Sequence, residues 1–317
     1  MNHLFNISVY HPEHDLAKAR AFCADGRYAD GLELLTGYEP ADASYKGVVG
    51  SVHLPYATDW YGPATGKRPV DESVDPGLIR YRYYGRDESE ILDSFITMMK
   101  VAEPFDPAYA VLHAGSANTD ELLCYDYTDS DIDVIDKLAE ILNQAVSRFP
   151  GEEPPFTLAL ENTWWPGFRA TGPKGFKRLT QKLEFDDWGI CLDTGHLLFT
   201  TKGSDDEAGA IEILNRVADT YPEEMILRIV TMHLHLNTSA TIHRTLCDDD
   251  CARLPLEERI QGAFKLIGNI DQHRPFSDPS IVEYVERFDP DFIVHEMGAI
   301  VLEEQIRDHI CQRSLFS

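Results

Sequence analysis

The chain has 317 residues with 54 acidic and 28 basic side chains, a formal charge of −26 at pH 7. A charge of that sign repels a polyphosphate backbone, and a nucleic-acid binder normally carries a basic stripe, so the balance weighs against DNA or RNA as a partner. At 43% apolar and 10% aromatic the composition is that of a folded protein with a large core. The N-terminus shows no basic-then-apolar leader, and no apolar run approaches the ~18 residues of a membrane span, which predicts a cytoplasmic protein with no membrane partner. Six scattered cysteines with no C-x-x-C pair suit reduced thiols. Cys247 and Cys251 beside Asp248, Asp249 and Asp250 suit a solvated loop better than a metal site.

In chain order, short β-rich runs fall at residues 4–10, 31–35, 47–54, 109–113, 156–161, 188–192, 229–236 and 292–295. Helical patterns lie between them at 13–23, 88–101, 132–149, 175–183, 207–220 and 256–267. In the third helix Ile132, Ile135, Leu138, Ile141 and Leu142 recur at the three-to-four spacing of one buried face, behind N-cap oxygens at 128–131. Strands alternating with helices predict a parallel sheet covered on both faces, and eight such units predict an α/β fold closed into one (β/α)8 TIM barrel spanning residues 1–317. Connections at 57–87 and 237–254, after strands 3 and 7, exceed the usual 2–6 residues and lie on the C-terminal face, where barrel active sites are built.

Six consecutive strands end in His, Glu or Asp after an apolar run. They carry His53, His113, Glu161, Asp193 followed by His196, His233 with His235, and His295 with Glu296. Barrel geometry brings these ends together, and buried carboxylates in such number require a compensating cation. Imidazole with carboxylate is a ligand set for zinc or manganese, so a divalent metal centre is predicted. His233 and His235 share a face of strand 7. His235, nearer the C-terminal end, is taken as the ligand and His233 as a deeper residue that supports the ligands or meets substrate.

At these residues the sequence resembles the xylose-isomerase-like TIM-barrel superfamily, which includes sugar isomerases and epimerases and the endonuclease IV (family 2 AP endonuclease) branch. The resemblance covers nearly the whole chain. Its most specific segments are Leu160-Glu161-Asn162-Thr163 and the run from Gly189 to His196, with Gly31-Leu32-Glu33-Leu34 typical of the superfamily. The isomerase branch implies one divalent ion on Glu161, Asp193, His235 and Glu296, with His196 near substrate. The endonuclease branch implies further ligands at His53, His113, His196 and His243, and an active-site tyrosine at Tyr56. Its Asp-x-His element would place an Asp at Thr241, so a third metal pocket would lack its carboxylate, and one or two ions fit better than three.

Two mechanisms follow. In the preferred one, an isomerase or epimerase of a sugar, sugar phosphate or polyol uses Glu161 and Glu296 to move a proton, with an enediolate stabilised by the metal. The other is an endonuclease IV-like metal-dependent phosphoesterase. Trp164 and Trp165 offer an aromatic wall for a sugar face, and Arg169, at the head of a basic stretch, offers a phosphate contact. A small carbohydrate or phosphorylated molecule is the expected partner, and a homo-oligomer is compatible with the sequence.

Overall fold

In the computed structural model, residues 1–70, 72, 74–243, 255–298 and 301–317 are described. The eight predicted β-rich runs form strands β1 (Asn2–Ser8), β2 (Gly31–Leu35), β3 (Val49–His53), β4 (Tyr109–His113), β5 (Thr157–Glu161), β6 (Trp188–Asp193), β7 (Ile229–His233) and β8 (Phe292–His295). Each pairs in parallel with the next, and β8 returns to β1, so the sheet is a closed barrel. Leu4, Tyr109, Val111, Ala159, Cys191 and Val294 form one apolar cluster from five of the strands. Polar side chains meet beside it. Ser51 Oγ donates to Glu33 Oε2 at 2.8 Å, and the Tyr109 and Thr231 hydroxyls are 2.8 Å apart.

Helices cover the outside for the reasons the periodicity predicts. The helix Asp131–Val146 starts where Ser130 Oγ accepts from Asp133 N, and its buried face includes Ile135, Leu138, Ile141 and Leu142. No α-helix fits between β2 and β3, where only the 3-10 turn Ala43–Tyr45 occurs. Helices at Thr194–Thr200, Ser280–Glu286 and Leu302–Arg313 were not predicted. β7 ends at His233 rather than at 236, so His235 and Asn237 belong to the connection that follows. Among the described residues, no helix is long and apolar enough to cross a membrane.

Behind β8 runs a hydrogen-bonded line of buried side chains. Gln312 Nε2 donates to Leu234 O at 2.7 Å and lies 2.8 Å from His295 Nδ1, while His295 Nε2 lies 2.9 Å from His3 Nδ1. Because the amide nitrogen can only donate, His295 Nδ1 accepts and its Nε2–H is given to His3. His295 is therefore a structural residue, as its outward position beside Glu296 predicts. His309 completes the group with Nε2 3.0 Å from Tyr28 O. Burial, with Arg313 nearby, pulls His3 down to about 3, and burial pulls His309 down to about 4 against the raising effect of the Tyr28 carbonyl.

For His309 the unfolded chain takes up a proton near 6.5 and the folded chain only near 4. Below 6.5 the unfolded state binds more protons, so stability is lost as pH falls through that window. The loss at about pH 5 is on the order of 2 kcal/mol from this residue. The drop in Tm between neutral pH and about pH 5 should be smaller in His309→Gln, which keeps a donor for Tyr28, than in the parent chain. An equal drop in both would refute the assignment.

Candidate metal centre

At the C-terminal mouth of the barrel the strand ends converge on Glu161, the last residue of β5. Glu161 Oε2 lies 3.2 Å from His53 Nε2 and 3.1 Å from His113 Nε2. Its Oε1 lies 3.3 Å from His196 Nδ1 and 3.4 Å from His233 Nδ1. Asp193 does two things. Oδ1 accepts from His196 N at 2.6 Å and so caps the helix Thr194–Thr200, which brings His196 back over the mouth, while Oδ2 lies 3.0 Å from His235 Nε2. Glu296, just past β8, has Oε2 3.2 Å from His233 Nδ1 and 3.7 Å from His235 Nε2.

The imidazoles are aimed by what holds their other nitrogens. His53 Nδ1 donates to Leu54 O at 2.8 Å, which turns its Nε2 lone pair to Glu161. His196 Nδ1 donates to Asn162 O at 2.8 Å, leaving Nε2 to face Asp271 at 3.5 Å. His233 sets Nε2 2.8 Å from Glu33 Oε1. A histidine supported by a carbonyl or carboxylate on one nitrogen and free to ligate with the other is the arrangement of metal sites.

Two further residues join this centre that strand-end reasoning does not reach. Asp271 and His273 follow the helix Leu256–Ile270 in the β7–β8 connection. Asp271 Oδ2 lies 3.3 Å from His273 Nε2 and 3.5 Å from His196 Nε2. Their spacing is the Asp-x-His pattern itself, present in the sequence thirty residues after the position where it was expected. Asp271-Gln272-His273 thus places a carboxylate of that pattern beside His196, one that the expectation at Thr241 does not count. Thr241 is exposed, and the side chain of His243 lies outside the described residues, as do Cys247 and Cys251.

The charge balance of the mouth is unusual. Glu33, Glu161 and Asp193 are buried, and the side chains of Asp271 and Glu296 are only 13% and 18% exposed. Burial alone would raise Glu161 and Glu296, but His113 and His233 around the first, and His233 and His273 around the second, hold both well below the usual carboxylate range. Burial depresses His235, yet Asp193, Asp271 and Glu296 bring it above its ordinary value, and His196 and His233 are driven well above theirs by the same kind of competition. His113, where burial outweighs Glu161, is lowered and neutral. Asp271 Oδ1 and Glu296 Oε2 accept no hydrogen bond among the described residues. Unsatisfied carboxylate oxygens facing imidazole nitrogens are the donor set of a divalent cation. Among the described residues five groups have ligating atoms within 4.8 Å of one another: His53, His113, Glu161; Glu161, Asp193, His196; Asp193, His233, Glu296; His235, His273, Glu296; and Glu161, His233 with Cys191. His233, expected to meet substrate or back the ligands, is fully buried and points Nδ1 into this set.

Other expected contacts fall elsewhere. Trp164 and Trp165 are buried, standing 4.7 Å from the His196 ring and 5.9 Å from the His113 ring, so they back the histidines instead of walling the cavity. Arg169 pairs with Asp131 and lies over the Tyr127 ring, away from the cavity. Tyr56 does line it, stacked on His113 at 4.7 Å and 21°.

A closed parallel barrel carrying a convergent His/Asp/Glu cluster at its C-terminal mouth defines a class of metal-site TIM barrels. Residues 78–296 match the family described as xylose isomerase-like TIM barrel, more than half of the chain, and the protein belongs to that family. Members of the family are enzymes that typically bind divalent metals. Among solved structures, a D-tagatose 3-epimerase-like protein matches with a TM-score of 0.53 and 15% identity over 100% of this chain and 97% of that one. A sugar phosphate isomerase/epimerase from Parabacteroides distasonis matches at 0.51 and 10% identity over 99% and 92%, and 3-keto-D-glucoside 4-epimerase from E. coli at 0.50 and 12% over 99% and 99%. At these identities the likeness is one of fold. No curated protein sequence matches the chain.

Gly195 shows how tightly the centre is assembled, because a Cβ there would overlap the His235 imidazole. Gly195→Ala is expected to displace His235 and lower bound metal at least tenfold in affinity, as disturbed ligand support commonly does. Elemental analysis with a competing chelator measures it, and unchanged affinity would remove His235 from the site. The imidazoles held above their ordinary values must lose protons before they ligate, so metal binding should release protons and tighten as pH rises. Calorimetry in buffers of different ionisation enthalpy reads the released protons.

Proposed function

We propose that the protein is a divalent-metal-dependent hydrolase of a small phosphoester, with two or more ions at the barrel mouth. The observation that carries this is the placement of Asp271 against both His196 and His273, which extends the candidate ligand set past the one-ion group of Glu161, Asp193, His235 and Glu296. With neutral imidazoles the five carboxylates carry −5. One dication leaves −3, two leave −1 and three leave +1, so with a single ion the remaining charge has to be carried by protonated imidazoles, which then have no lone pair left to ligate.

His53, His113 and Glu161 would hold one ion. Glu161, Asp193, His233 or His235, and Glu296 would hold a second, and His196, Asp271 and His273 are disposed for a third. Such ions supply an activated water and neutralise charge on a phosphoryl group. Glu161, shared between groups, fixes their spacing, and Glu33 holds His233. The cavity of about 210 Å³ is lined by Asn6, Ser8, His11, Glu33 and Tyr56 together with the ligand residues, and has room for a molecule of sugar-phosphate size. That size, with the net charge of −26, supports a small substrate over a nucleic-acid duplex.

A sugar isomerase or epimerase is the second reading, favoured by one feature: among the described residues the cavity lining includes no Lys or Arg, which suits a neutral polyol. Glu161 and Glu296 would then pass the proton between adjacent carbons, with His196 toward the substrate.

Metal analysis of the purified protein, paired with assays, decides between them. The expected result is at least two ions per chain with phosphate released from phenyl phosphate or 4-nitrophenyl phosphate, and loss of both in Glu161→Gln. One ion per chain with carbon-bound hydrogen exchange in a ketose, and no phosphate release, would replace the first reading by the second.

A further inference from the structure

The cavity reaches beyond the ligand cluster toward the end of β1, and the side chains there are not equivalent. Asn6 is committed to the fold: its amide nitrogen donates to Met297 O at 3.3 Å, and its oxygen accepts from Met297 N at 3.1 Å and Gln305 Nε2 at 3.0 Å. Glu33 is engaged by Ser51 and His233, and Ser8 Oγ accepts from Tyr10 N at 3.2 Å. His11 differs. Its backbone N–H donates to Ser8 O at 3.0 Å, its Nδ1 lies 3.1 Å from that same carbonyl, and Ser8 N is placed to donate to Nδ1 at 3.3 Å, so the ring is held against the end of β1. Nε2 makes no hydrogen bond among the described residues, and the half-buried ring lines the same cavity as Asp271, His273 and Glu296.

We propose that His11 is the proton donor to the leaving group, an inference that rests on the hydrolytic reading. A water oxygen forms the new bond to phosphorus, the bond to the ester oxygen breaks with its electron pair, and His11 Nε2 gives that oxygen its proton. The proton lost by water returns to His11 through solvent, so atoms and charge balance. The Ser8 backbone holds the ring at Nδ1, through its N–H or its carbonyl according to the protonation of that nitrogen, and leaves Nε2 as the ring nitrogen available to a substrate. Tyr56, the other titratable cavity residue outside the ligand set and Glu33, is stacked on His113, and burial with the nearby carboxylates pushes its phenol up to about 12, so it gives up its proton poorly at neutral pH.

The test compares leaving groups. Phenolate needs a proton as it departs, and 4-nitrophenolate much less. In His11→Ala, kcat for phenyl phosphate should fall about 10²-fold, and for 4-nitrophenyl phosphate at least tenfold less than that. Metal content should equal that of the parent chain, since His11 is outside the ligand set. Equal losses on both esters, no loss on phenyl phosphate, or loss of bound metal would each overturn the role of His11 while leaving hydrolysis in place. Release of phosphate from neither ester by the parent chain would bring down the hydrolytic reading and this role with it.

Discussion

Five carboxylates and six imidazoles share a nearly dry space at the mouth of the barrel, and the rest of the site is arranged to make that possible. Glu161 is the hub, with His53, His113, His196 and His233 all within 3.4 Å of its two oxygens. Without an ion, the imidazoles themselves must carry positive charge to balance it, which is why several are pushed above their ordinary values despite burial. That balance is reached in one way by protons and in another by divalent cations. Metal and proton compete for the same lone pairs.

The barrel supplies the rigidity this competition needs. Backbone carbonyls of Leu54 and Asn162 fix the rings of His53 and His196, and the helix cap formed by Asp193 fixes where His196 returns. Close approach is purchased by small residues: Gly195 lies under the His235 ring, and Gly115 lies against Thr163 and Trp165. Trp164 and Trp165 belong to this support, since two large rings behind His196 and His113 exclude water from the back of the ligand set. The acidic exterior is a separate matter. It bears on what approaches the mouth and not on what happens inside it.

Much of this was legible in the chain. An apolar run ending in one polar residue, repeated strand after strand, identified His53, His113, Glu161, Asp193 and Glu296, because a barrel aims its strand ends at one point. The strand-7 pair was harder. Alternation puts His233 and His235 on one face, but it does not tell which nitrogen faces the carboxylates, and the structure brings both rings into the cluster. Arg169 was drawn from local basic composition, which does not register its pairing with Asp131 on the outside.

Sequence by itself determined the eightfold alternation, the family, and the chemical character of the centre, since these rest on local periodicity and on residue type at strand ends. Tertiary structure alone decided that Asp271 and His273 join the cluster at the mouth. They follow a helix in a long connection, with no strand to fix their direction. Only the folding of that connection over the mouth places Asp271 against His196, seventy-five positions earlier in the chain. Contacts of such separation carry no local periodic signal, because what specifies them is the packing of the elements between.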